Sequence, residues 1–151
     1  MLKIAVVTPY NKENDDILRQ CHVSVLRQSY PCTHILVADG HPKSLFDEPK
    51  TMHVILPQAN GDMGNTPRAI GGILADAYGF DAVAYLDADN WYDPSHIEGL
   101  ITAHEANDQP KYPGEARGRA ADGSLRHSTK AESVSKAASI LQMNDPYPPN
   151  G

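Results

Sequence analysis

The chain has 151 residues, of which 40% are hydrophobic and 21% charged, and its formal net charge is −6. That is enough chain for one domain with a real core, of the composition of an ordinary soluble protein. The acidic balance argues against nonspecific binding to nucleic acid or to an anionic membrane, both of which select basic surfaces, and no stretch approaches the ~20 apolar residues of a membrane span.

The amino terminus, Met1-Leu2-Lys3-Ile4-Ala5-Val6-Val7, is too short for a signal peptide and runs directly into strand-like sequence. Cys21 and Cys32 show no metal or redox spacing, and Cys21 sits among apolar helix positions as a core thiol would. A cytoplasmic, reducing compartment is the expectation.

In chain order, residues 2–8 read as a buried strand that Pro9 ends. Asn14 caps a helix with Asp15 and Asp16 in its first turn and Ile17, Leu18, Cys21 and Val25 on one face, stopped by Tyr30-Pro31. Residues 34–38 form a second strand ending in Asp39-Gly40, and residues 52–56 a third. Thr66 and Pro67 open a second helix with Ile70, Ile73, Leu74 and Ala77 facing inward and Gly79 closing it. Residues 82–86 are a fourth strand, and Asp93-Pro94 start a third helix carrying Ile97, Leu100, Ile101 and His104 on one side. His104 closes that stripe as a boundary residue, not a ligand. The order β-α-β-β-α-β-α, with apolar strands, predicts an open, mostly parallel α/β sheet with helices on both faces.

The character of the chain changes near residue 104. Residues 1–104 hold 35 Val, Ile, Leu, Met, Phe, Trp and Tyr, whereas residues 105–151 hold 7. The first part carries 7 Lys+Arg against 13 Asp+Glu, so the tail, with 6 of each, is neutral. Two parts follow: a folded domain over 1–104 and a low-hydrophobicity, partly disordered tail over 105–151. Within the tail, Thr129-Lys130-Ala131-Glu132 has a capping-box pattern ahead of helically spaced Val134, Ala137, Ala138 and Leu141, which predicts a short helix near 130–142.

The chemistry concentrates where the fourth strand ends, at Asp87-Ala88-Asp89-Asn90. If the strand persists to Asp89, the two acids share a face and point the same way; if it stops at Asp87, both still lie at its carboxyl end. Paired there without a partner they repel and are costly to dehydrate, which a hard divalent cation with oxygen ligands would resolve. The bland alternative is a strand-to-helix turn.

Parallel pairing brings this rim beside Thr8-Pro9-Tyr10-Asn11 and Asp39-Gly40. The carboxyl end of such a sheet is where α/β proteins bind ligands. Tyr10 either stacks on a flat base or covers the strand end. Asp39 either accepts from a base imide or sets an Asp-Gly turn. Arg68, in a helix first turn where a cation is disfavoured, suits a phosphate partner or is simply solvated. Beside it, Asn60-Gly61-Asp62-Met63-Gly64-Asn65 reads as a flexible loop, and neither a phosphate loop nor a dinucleotide fingerprint occurs.

Over residues 2–104 the chain resembles a family 2, GT-A-type glycosyltransferase. The resemblance rests on five pieces in order: Val6-Val7-Thr8-Pro9-Tyr10-Asn11, Ser24-Val25-Leu26-Arg27-Gln28-Ser29-Tyr30-Pro31, Ile35-Leu36-Val37-Ala38-Asp39-Gly40, Pro67-Arg68-Ala69-Ile70-Gly71 and Tyr85-Leu86-Asp87-Ala88-Asp89-Asn90. It implies a Rossmann-like nucleotide-diphospho-sugar transferase fold. It further implies that Thr8, Pro9 and Tyr10 line the base pocket of the donor, Asp39 accepts from the base, and Arg68 lies near base or phosphates. Asp87 would contact the ribose or sugar side, and Asp89, with Asp87, would hold Mn²⁺ or Mg²⁺ bridging the diphosphate. The implied reaction is inverting displacement by an acceptor hydroxyl, from a nucleotide-sugar for which UDP is favoured, to a glycan, lipid or protein.

The pattern is departed from after Asp89. Family members continue well beyond it and supply a carboxylate base, often in a Glu-Asp-like pair. Here about sixty residues follow, without such a pair, and Asp108, Asp122 and Asp145 are isolated. The general base is therefore unassigned. A non-catalytic or truncated nucleotide-sugar-binding module is the alternative expectation, with a surface that favours self-association. An aspartyl phosphatase fits less well, because Asn90-Trp91 follows the acids on a fourth strand. A purely structural domain leaves Asp87 and Asp89 without a role.

Overall fold

The computed structural model describes residues 1–107 except Leu45 and Asp47, so the tail helix expected near 130–142 lies outside the described residues, as does the tail beyond residue 107. The chain order is strand β1 (Ile4–Tyr10), helix α1 (Asp15–Leu26), β2 (Cys32–Asp39), β3 (Thr51–Leu56), α2 (Asn65–Ala77), β4 (Ala82–Tyr85) and α3 (His96–Asn107). The strands form one sheet in the order β3-β2-β1-β4, and every pairing is parallel. The expected open α/β architecture is observed.

Alternation along the strands sorts the core into two layers. Ile4 and Val6 of β1, with Ala82, Ala84 and Leu86, pack against Cys21 and Val25 of α1 and Ile97 and Leu100 of α3. Ala5 and Val7, with Ile35, Val37 and Val83, face Ala75 of α2 and Phe80. Each fully buried Val, Leu or Ile contributes about 1.5–3 kcal/mol relative to exposure.

Pro9 lies inside β1 and does not end it. Pairing with β2 continues to Tyr10↔Ala38, whereas pairing with β4 stops at Val7↔Tyr85. Val7 accepts from Leu86 N–H on the β4 side, so Pro9, two residues on, faces that same edge after β4 has left it. No ladder donor is needed there, which is where a strand tolerates proline.

Helix α1 is capped as expected, with Asn14 Oδ1 accepting from Asp16 N–H. Its buried residues are Leu18, Cys21, His22 and Val25, while Ile17 is exposed. The helix stops at Leu26, short of Tyr30-Pro31, because residues 28–29 serve the start of α3. The Gln28 amide donates to the Asp93 carbonyl and accepts from Ile97 N–H, and Ser29 N–H donates to the Pro94 carbonyl. The side-chain cap of α3 is thus Gln28, reaching across from the end of α1, rather than Asp93.

Helix α2 is rotated by about one residue from the expected face. Pro67, Gly71 and Ala75 are buried, whereas Ile73 is 68% exposed and Ala77 is also exposed. The reason is backbone proximity. A Cβ on Gly71 would sit 2.4 Å from Val7 Cγ1, so the helix seats on the sheet through its small residues. Ile70 and Leu74 flank that seat and are half-buried.

Candidate functional site

The strand order reverses direction at β1: the chain runs outward through β2 and β3, then returns to place β4 on the other side. The carboxyl ends of β1 and β4 therefore form the crevice where open α/β sheets bind ligands. Strand β4 ends at Tyr85, two residues before the first acid. Ala88 is 4% exposed and packs with Tyr10 and Leu18, while Asp87 and Asp89 on either side of it are exposed. An inward Ala88 thus holds both carboxylates outward. A turn closed by Asn90 N–H to the Asp87 carbonyl, 3.0 Å, follows.

The two acids differ in their partners. Asp87 Oδ1 accepts from the Arg68 guanidinium, and both side chains remain partly exposed. Asp89 Oδ1 receives the Asn90 side-chain amide at 3.3 Å. The observed partner of Arg68 in the first turn of α2 is therefore Asp87. The helix N-terminus itself is occupied as well: Asp62 Oδ2 accepts from both the N–H and the hydroxyl of Thr66. Thr66 is thus not the cap. That hydroxyl contact holds the Asp62 carboxyl below its usual range.

A second group stands on the α2 side of the rim. Asp39 is 3% exposed, and its Oδ1 accepts from the Asn60 N–H at 3.0 Å and the Asn60 side-chain amide at 2.7 Å. Gly40 makes this approach possible: with φ +79°, a Cβ there would lie 2.2 Å from the Ala59 nitrogen. Only glycine lets the chain after β3 cross so close to the end of β2. The segment expected to be a flexible loop is therefore tied down at Asn60 and Asp62. Pro9 is buried beside Gly64, where an added Cβ would sit 3.4 Å from the proline ring.

Thr8 and Tyr10 turn to the opposite face. Thr8 is fully buried, its hydroxyl 2.8 Å from His34 Nε2. The Tyr10 ring is 2% exposed among Leu18, Leu36, Ala38 and Phe46. Its hydroxyl lies 2.6 Å from His53 Nε2 and accepts from Lys43 N–H. Burial raises its pKa. The structure thus gathers Pro9, Asp39, Arg68, Asp87 and Asp89 at the rim and places the side chains of Thr8 and Tyr10 beneath it.

The Cys21 thiol is pushed up to about 12, first by burial and then by the carboxylates of Asp89, Asp87 and Glu13, against its hydrogen-bonding contact with Thr8. Glu13 also accepts from Asn11 N–H at 2.6 Å. Among the described residues no group of three or more His, Cys, Asp or Glu is arranged to hold a metal ion. The oxygen donors that a hard cation could use here are Asp87 and Asp89, with further oxygens needed from a ligand.

Several contributors were not legible beforehand. Asn60 carries no local signal, since its contact with Asp39 spans 21 residues. His22 and His34 form a buried pair, Nδ1 to Nδ1 at 2.8 Å. The usable signal there was a polar residue at an inward position: His22 continues the stripe of Leu18, Cys21 and Val25, and His34 begins the inward alternation with Leu36 and Ala38.

No family model matches the chain. It is 30% identical over 106 residues to the succinoglycan biosynthesis protein ExoW of Rhizobium meliloti (strain 1021), an alignment covering 64% of this chain and 32% of ExoW. The chain thus spans about a third of the length of that relative. In structure it superposes on S. aureus TarS with a TM-score of 0.58 at 15% identity, covering 69% of this chain and 20% of TarS. A shorter TarS, residues 1–349 in complex with UDP-GlcNAc, matches with a TM-score of 0.57 at 16% identity, over 69% of this chain and 32% of that one. The fold is the open Rossmann-like α/β fold of GT-A enzymes. Among the described residues no helix is long and apolar enough to cross a membrane.

Proposed function

We propose that this chain is the nucleotide-sugar-binding part of a family 2 glycosyltransferase, which transfers a sugar from a UDP-sugar to an acceptor hydroxyl with inversion. One observation carries the proposal most: two outward carboxylates, Asp87 and Asp89, stand on the open rim at the sheet's switch point, in a fold shared with a protein solved with UDP-GlcNAc.

The donor set suits a hard cation such as Mn²⁺ or Mg²⁺ shared with a diphosphate: two carboxylates, both solvent-accessible. When bound there, such an ion neutralises charge on the departing nucleoside diphosphate. Asp89 is the first ligand in this proposal. Asp87 is shared between the ion and Arg68, which keeps a cationic donor within reach of the phosphates. Asp39, buried and oriented by Asn60, is the acceptor for the base, and Pro9 forms the apolar floor beside it. Thr8 and Tyr10 support the floor from below.

The test is calorimetric titration with UDP, with and without Mn²⁺, on the wild type and Asp89→Asn. Metal-dependent binding that disappears in the variant supports the proposal, and no binding to UDP, GDP or dTDP under either condition overturns it. A module that binds the donor without turnover would share this site, and the match over 32% of ExoW fits it equally. Glycosyl transfer by the purified protein excludes that alternative.

A further inference from the structure

Beneath the rim a line of polar side chains crosses the α1 face of the sheet. Glu48 Oε2 lies 3.1 Å from His22 Nε2, His22 Nδ1 lies 2.8 Å from His34 Nδ1, and His34 Nε2 lies 2.8 Å from Thr8 Oγ1. Thr8 Oγ1 is 3.9 Å from Cys21 Sγ, which is in turn 3.7 Å from the Asp87 carbonyl oxygen. His22, His34, Thr8 and Cys21 are all buried, while Glu48 is at the surface. One end of the line meets solvent and the other ends on the backbone of the acidic loop.

The partners dictate where the hydrogens sit. A carboxylate only accepts, so His22 carries hydrogen on Nε2. A neutral His22 then accepts at Nδ1, which makes His34 the Nδ1–H tautomer, with Nε2 accepting from the Thr8 hydroxyl. The one Thr8 hydrogen is thereby spent, and the single Cys21 S–H is contested between Thr8 Oγ1 and the Asp87 carbonyl. Adding one proton from solvent reverses the order. His22 then holds hydrogen on both nitrogens, and His34, still neutral, holds it on Nε2. Thr8 accepts from His34 and donates to Cys21, and the Cys21 S–H is committed to Asp87. From His22 Nδ1 onward every donor along the line now points toward the rim.

We propose that His22 and His34 are positioning residues of the donor site, which hold the Asp87 carbonyl through Thr8 and Cys21, and that a proton at the Glu48–His22 end tightens that hold. The proposal rests on the donor-site reading above. Glu48 faces the line from the β2–β3 crossover, 3.1 Å from His22, and Glu13, Asp87 and Asp89 gather about Cys21 at the far end. Lys50 meets His34 through its carbonyl, which accepts from His34 N–H, and His53 stands across Phe46 from His22. His34 is fully buried and is held neutral by that burial and by its neighbour His22, so in this proposal His34 only exchanges tautomer.

The experiment pairs two readouts. Imidazole ¹⁵N spectra of the free protein should show His22 as the Nε2–H and His34 as the Nδ1–H tautomer at high pH; the opposite tautomer of His34 there overturns the proposal. Titration with UDP and Mn²⁺, in two buffers of different ionisation heat and across a series of pH values, should show proton uptake and about five-fold tighter binding on the acid side, the worth of one hydrogen bond. Glu48→Gln should bind UDP as the wild type does at high pH and lose most of that pH dependence. His34→Gln should keep a donor to Thr8 and lose the dependence entirely. Binding without proton uptake, or a Glu48→Gln profile equal to the wild type, overturns the coupling and leaves the donor site standing. No UDP binding at all overturns both, with the tautomer spectrum still reporting whether the line forms.

Discussion

Arg68 and Asp87 are 19 residues apart in the chain, and an ion pair joins the first turn of α2 to the loop after β4. The two elements meet only because β4 returns beside β1 while α2 covers the opposite side of that strand. Each side chain keeps solvent access, so the pair contributes little to stability after screening. Arg68→Ala should change the unfolding free energy by less than about 1 kcal/mol by chemical denaturation. The same variant should weaken UDP–Mn²⁺ binding by about ten-fold, the loss of one charge-assisted contact. A large stability loss with unchanged binding would make Arg68 a structural residue.

Asn60 supplies both observed hydrogen bonds to the nearly buried Asp39. Asn60→Ala removes the side-chain donor and keeps the backbone one. A cost of about 1–3 kcal/mol follows from leaving a buried acceptor short of partners, readable as a lowered denaturation midpoint. Nucleotide affinity should fall with it, and affinity that is indifferent to Asn60 would remove Asp39 from the base contact.

Two helical glycines should respond to alanine in opposite directions. At Gly71 the new methyl would meet Val7 at 2.4 Å, whereas at Gly99 nothing lies within 4 Å. Gly71→Ala should destabilise by about 1–3 kcal/mol through overpacking. Gly99→Ala should stabilise by about 0.4–1 kcal/mol through lost freedom of the unfolded chain. Thermal melts of the two variants check both signs at once.

Acid should destabilise the fold well before its carboxylates titrate. Burial lowers His34 well below 6.5, and His53 and His96 are lowered in the same direction. Above that pH these rings are neutral both folded and unfolded. Below it the unfolded chain takes up protons that the folded chain refuses, so stability is lost as pH falls. For His34 the slope approaches about 1.4 kcal/mol per pH unit. His34→Gln should flatten it by that amount in denaturation curves taken between pH 7 and pH 5, and an unchanged slope would contradict the burial of a neutral ring.

Much of the order of elements was legible locally, because caps, prolines and apolar runs act within a few residues. Asn14 names the start of α1 by its own side chain, and the apolar runs of β1, β2 and β4 announce a sheet covered on both faces. Legibility failed where a distant neighbour decides the outcome. Pro9 reads as a strand end until it is known that β4 departs at Tyr85. Thr66 reads as a cap until Asp62 is seen taking both its hydrogens, and the face of α2 follows Gly71, whose lack of a side chain is invisible to a hydrophobic pattern.

The candidate site divides along the same line. The sequence by itself determined which residues are candidates for chemistry: the spacing of Asp87 and Asp89 about a small apolar residue, the acid ending β2, and a cation at the head of α2. These follow from strand periodicity and from the cost of placing charges together. Parallel pairing already brought those strand ends to one rim; only the tertiary structure decided which side chains face it and which partners they take. The 3-2-1-4 strand order sets the β4 acids beside β1 and turns Thr8 and Tyr10 to the α1 face. It also threads His22 and His34 into a line from Glu48 to the Asp87 backbone. Such contacts join residues 12 to 66 positions apart, and only parallel register and helix seating fix which of them meet.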